Sequence, residues 1–75
     1  MNNEKDEVLT VHTGHVTTKQ LRAMAVGQTI RFQVKSKYQV RSARSQCDNL
    51  RRYDEMAFHV VQDAKQLCVT IERLA

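Results

Sequence analysis

The stretch TIRFQVKSKYQVRSARSQCDNLRRYD, residues 29–54, changes its apolar period partway along, and that change decides the fold. Over residues 29–35, Ile30, Phe32 and Val34 alternate with Arg31, Gln33 and Lys35, the period-two pattern of a half-buried strand with a basic outer face. Beyond Lys37 the apolar positions Val40, Ala43, Cys47 and Leu50 recur at steps of three and four, which marks one face of an α-helix. Ser36 stands just before that run, where an N-cap oxygen is wanted. The helix is predicted to end near Tyr53 or Asp54, with the acidic pair Asp54-Glu55 at its close. The segment is too short for two helices and holds no internal turn signal, so the helix-turn-helix reader of a winged helix is missing.

Working outward, AFHVVQ (residues 57–62) and LCVTIERL (residues 67–74) are both rich in β-formers, and the polar DAKQ between them has hairpin length. Phe58, Val60, Leu67, Val69 and Ile71 are expected to face inward. On the other side, VLTVH (residues 8–12) forms a candidate edge strand. Thr17 or Thr18 can cap a short helix KQLRAMA, with Leu21, Met24 and Ala25 on one side of it and Gly27 free to take positive φ at its end. The expected architecture is a small two-layer α+β domain spanning residues 8–75. In it an antiparallel sheet of three or four strands packs on one main helix, with a short N-terminal helix and a flexible lead over residues 1–7.

A chain of 75 residues is at most one domain, and at that size about 60% of the unfolded surface is buried, which leaves little room for a deep pocket. With 41% hydrophobic and 27% charged residues and no Pro, it has the balance of a globular chain. No apolar run approaches the ~20 residues of a membrane span, and MNNEKDEVLT has neither the basic start nor the apolar stretch of a signal peptide. The expectation is a cytoplasmic protein with no membrane partner. Cys47 and Cys68 are then reduced thiols, since a secreted domain this small usually carries a larger cysteine framework.

The net charge of +4 conceals a segregation. Residues 8–53 set Lys19, Arg22, Arg31, Lys35, Lys37, Arg41, Arg44, Arg51 and Arg52 against Asp48 alone, a balance of +8, whereas residues 1–7 and 54–75 each come to −2. On a helical projection Lys37, Arg41, Arg44, Arg51 and Arg52 fall in a stripe beside the apolar line, where arginine stems can lie on apolar surface and their heads reach phosphates. With the strand residues Arg31 and Lys35 they form a candidate nucleic-acid surface, DNA favoured. Ser42 and Ser45 add small donors, and Gln46 and Asn49 are candidates for contacts to base edges. The bland alternative is a solvated face on which Asp48 pairs with Arg44 and Arg52, each four residues away. Tyr38 and Tyr53 are expected to lie as lids over the core rather than as stacking platforms.

The competing reading is a protein-interaction module, a homodimer or accessory subunit, that uses the outer sheet face around Val61, Cys68 and Thr70 or an exposed edge strand. Catalysis lacks a constellation. His12 and His15 have an HxxH spacing, but there is no CxxC and the two cysteines fall on different elements. Cys47 lies on the apolar line of the helix, where a thiol behaves as a small hydrophobe. No GxSxG, phosphate-binding glycine loop or HExxH occurs. The expectation is a non-enzymatic domain with no cofactor, no metal and no small-molecule substrate.

LRAMAVGQTIRF (residues 21–32), YQVRSARSQCDNL (residues 38–50), Phe58 and the closing VTIERL resemble a group of small proteins carried by phages and mobile elements of gut anaerobic bacteria. The shared pattern covers residues 18–75: leucine-arginine-alanine, valine-glycine before a strand, a V-R-S helix start at Val40-Arg41-Ser42, and a closing strand through Thr70 to Arg73. Two departures stand out. One extra residue precedes Arg73, and the loop RRYDEMAF lacks the glycine common in the group. The resemblance implies a mobile-element context and no particular chemistry.

Overall fold

A computed structural model describes residues 9–75; the flexible lead expected over residues 1–7 lies outside them. In chain order the elements are β1 (Leu9–Thr13), α1 (Thr18–Ala23), β2 (Thr29–Gln33), α2 (Lys37–Asp54), β3 (Phe58–Asp63) and β4 (Cys68–Arg73). They form one four-stranded sheet in the order β1-β2-β4-β3, with both helices over the same face. The shortest principal extent, 16 Å, is that of one sheet and one helical layer.

The architecture is the α+β one that the period change predicts, but the sheet is mixed rather than antiparallel throughout. β1 runs parallel to β2, in a register that pairs His12 with Phe32, while β4 runs antiparallel to both β2 and β3. The cause is α1. A helix between two neighbouring strands carries the chain back to the end of the sheet where it began, so the next strand enters parallel.

Local sequence sets each helix boundary. Thr17 caps α1 in a reciprocal box: its Oγ1 accepts from Gln20 N at 3.2 Å, and Gln20 Oε1 accepts from Thr17 N at 3.0 Å. Ser36 caps α2 by accepting from Gln39 N at 3.2 Å. At the far end of α2 the chain turns through Glu55 in the left-handed region (φ 59°), which is the position where a glycine usually sits. Gly27 takes φ 91°, as expected. The β3–β4 turn runs one residue later than the sequence indicates: Leu67 is also left-handed (φ 54°) and β4 starts at Cys68.

The core is a single cluster. Phe32, Val69 and Ile71 of the central strands meet Val40, Ala43, Cys47 and Leu50 of α2, with Leu21 and Met24 of the α1 segment and Val16 closing the end. Ala25 is exposed rather than packed with Leu21 and Met24, because the helix ends at Ala23 and the chain leaves the helical path.

Candidate functional site

α2 is held on two flanks, and the two flanks differ in chemistry. On the side of α1, Gln46 Nε2 donates to Val16 O at 2.7 Å and to Ser42 Oγ at 3.4 Å. Gln46 is therefore turned inward, tying the helix to the chain before α1, and is not free to contact bases as the sequence suggested. Ser42 is half-buried with it. Ser45 and Asn49 remain exposed.

On the side of β3, an open groove runs between helix and strand, lined by Arg44, Cys47, Asp48, Arg51, Phe58, His59 and Val60. Arg52 joins Arg44, Asp48 and Arg51 around a neighbouring depression. Gln62 marks one end of β3 by donating from Nε2 to Val40 O at 3.2 Å. Arg44 and Arg51 of the basic stripe thus border the helix and sheet junction.

The local pairing that would neutralise it does not form. Among the described residues the one ion pair is Arg22–Asp54, at 2.8 Å, and Asp48 reaches neither Arg44 nor Arg52. Lys37, Arg41, Arg44, Arg51 and Arg52 are all exposed. Besides Arg22 in that pair, the arginines that donate side-chain hydrogen bonds among the described residues are Arg31 and Arg73.

The two strand residues of the predicted surface lie elsewhere. Arg31 points to the outer face of the sheet, away from α2, where its Nη2 is 3.5 Å from Cys68 Sγ and its neighbour across β4 is Thr70. Lys35 is exposed in the link between β2 and α2, where its backbone N donates to Gln39 Oε1 at 2.8 Å. The structure brings Arg44, Arg51 and Arg52 together, leaves Lys37 and Arg41 exposed on the preceding turns of α2 with Lys35 ahead of them, and separates Arg31 from the row by the thickness of the sheet.

No family model, curated protein or solved structure matches the chain.

The tyrosines are not lids over the core. Tyr38 is 78% exposed and Tyr53 73%, so each ring stands in solvent near one end of α2. A projection of apolar positions alone could not have placed them, because a Tyr near a helix end has room to pack or to point away.

Burial, helped by Asp48 and opposed by Arg44, pushes the Cys47 thiol from 9.0 up to about 12, so the nucleophilic thiolate is disfavoured. Cys68 is buried beneath Arg31 on the otherwise open outer face. His12 stacks on Phe32 with ring centroids 5.6 Å apart. Among the described residues no three His, Cys, Asp or Glu side chains converge on a point, and no helix is long and apolar enough to cross a membrane. Arg73, part of the closing VTIERL, donates from Nη1 to Met24 O at the C-terminus of α1, where a cation also meets the helix dipole.

Proposed function

We propose that this chain is a non-enzymatic nucleic-acid-binding accessory domain, of the kind a mobile element carries, that grips phosphates with the exposed face of α2. One observation carries the reading: Lys37, Arg41, Arg44, Arg51 and Arg52 share that face with Asp48 as the one acid among them, and none of the five is engaged in an ion pair among the described residues. Like charges at three- and four-residue steps, such as Lys37, Arg41 and Arg44, repel one another, and an anionic partner relieves that repulsion. Such a row neutralises phosphates without reading sequence, so affinity is mainly electrostatic.

The exposed rings of Tyr38 and Tyr53 add stacking surfaces beside the row, which favours a single strand or a melted end as much as a duplex. Arg31 contributes little, since it faces the other side of the sheet.

The test is a titration against random-sequence duplex and single-stranded DNA over a range of salt. With about five phosphates neutralised, log K should fall with log salt at a slope of about −4 to −5 on duplex. The double variant Arg41→Glu, Arg44→Glu should weaken binding to every sequence alike. Affinity that ignores salt, or a double variant that binds as well as the parent, would remove the model.

A further inference from the structure

Among the described residues β3 is an edge of the sheet, paired on one side only, by β4. Leu74 N donates to Ala57 O at 2.7 Å, which fixes the phase of that antiparallel ladder. By its alternation His59 and Val61 turn their backbone groups toward β4, while Phe58, Val60 and Gln62 turn theirs outward, away from the other described strands. Exposed edges are usually blunted by Pro, Lys or a bulge. The β3 sequence FHVVQD has neither Pro nor Lys, its register with β4 is unbroken, and Val61 is 52% exposed. Along the same edge, on the helix side, Arg44 and Arg51 stand over Phe58 and Val60 in the groove.

Three kinds of occupant can be weighed against that geometry. A second copy paired through its own β3 would bring two sets of Arg44 and Arg51 to one seam, where repulsion opposes the strand bonds. A nucleic acid answers the arginines but leaves the outward N–H and C=O groups unmatched by a strand. An extended polypeptide carrying carboxylates satisfies both. We propose that β3 accepts an acidic peptide segment of a partner protein as a fifth strand, with carboxylates on alternate residues lying on the α2 side against Arg44 and Arg51.

The details follow from the groove. Asp48 stands between the two arginines in sequence and lines the same groove, so the carboxylates must sit to either side of it. The intervening side chains of the incoming strand continue the outer face beside His59 and Val61, where Val or Thr fits. This docking does not rest on the nucleic-acid reading. Where both hold, the bound strand covers Arg44 and Arg51 and lowers affinity for DNA.

The probe is a synthetic peptide of alternating Glu and Val, blocked at both ends and about as long as β3, with Lys in place of Glu as control. Amide exchange followed by NMR should show slower exchange at Phe58, Val60 and Gln62 with the acidic peptide and no change with the basic one. Gln62→Pro removes an outward donor without touching the β4 ladder, and should weaken the peptide at least about tenfold, roughly the loss of one strand bond. Gln62→Ala, which loses the same contact to Val40 O, should bind nearly as well as the parent and so separates edge pairing from loss of that contact, while unchanged exchange at His59 and Val61 in free Gln62→Pro shows that the β4 ladder is intact. Arg44→Glu with Arg51→Glu should abolish binding.

Unchanged exchange at the three amides would overturn the proposal. So would equal binding of both peptides, a Gln62→Pro variant that binds like the parent, or a sedimenting dimer that Gln62→Pro dissolves, which would assign the edge to a second copy. Loss of DNA binding alone, with peptide protection intact, would strike the phosphate reading and leave this one standing.

Discussion

The guanidinium of Arg22 and the carboxylate of Asp54 meet at 2.8 Å, joining α1 to the last residue of α2. The pair opposes an unfavourable placement, since an acid at a helix C-terminus faces the negative end of the dipole. Both side chains keep contact with water, at 60% and 33% relative exposure, so the bond is screened. Arg22→Ala should cost about 0.2–1 kcal/mol at low salt and close to nothing at high salt. Urea melts of the variant at two ionic strengths check this; a salt-independent loss would mean that Arg22 acts through packing.

The C-terminus of α2 is held by a residue poorly suited to its backbone. Glu55 takes φ 59° with a full side chain, in the left-handed region that glycine occupies at least cost. Glu55→Gly should therefore stabilise the domain by up to about 1 kcal/mol, through relief of left-handed strain. The converse holds at Gly27, where φ is 91° and a Cβ would meet open space. Gly27→Ala should destabilise by about 1 kcal/mol for backbone reasons alone. Thermal melts moving in opposite directions for the two variants are the expected result.

Gln46 separates structure from binding on one helix. Its Nε2 donates to Val16 O, so Gln46→Ala leaves a carbonyl beside the core without that donor and should cost about 1–3 kcal/mol. Its DNA affinity, measured below the melting transition, should match the parent's, whereas Asn49→Ala changes an exposed position and should leave stability unaltered. A Gln46→Ala variant that melts normally but binds DNA less well would return this residue to the interface.

Alkaline pH should weaken the fold through Cys47. Its thiol is raised to about 12 in the folded chain against 9.0 for an ordinary thiol, because burial penalises the thiolate. The unfolded chain then loses its proton first, so the stabilisation is complete below pH 9 and is lost as pH rises from 9 toward 12. Cys47→Ala should flatten that dependence, at the cost of a small cavity at all pH values. Native-state alkylation at neutral pH should be slow; rapid labelling would show that α2 opens readily from the sheet.

Much of this was legible along the chain. The switch from period two to steps of three and four placed β2 and α2, Ser36 and the Thr17-Thr18 pair announced their helices, and Gly27 announced its turn, because these are local demands that a residue meets with its own neighbours. The angular offset of the basic stripe from Val40, Ala43, Cys47 and Leu50 was likewise fixed by helical geometry. What the sequence alone could not decide is what each exposed position meets across space. The parallel entry of β1 depended on where α1 delivers the chain. The alternation of β2 already turned Arg31 outward, but that the cations of α2 lie across the sheet from it follows only from the helix packing on the opposite face. Gln46 was indistinguishable from Asn49 until α1 supplied a carbonyl for it. Local periods determine which face a side chain occupies, whereas only the packing of distant segments determines whether that face ends against protein or against water.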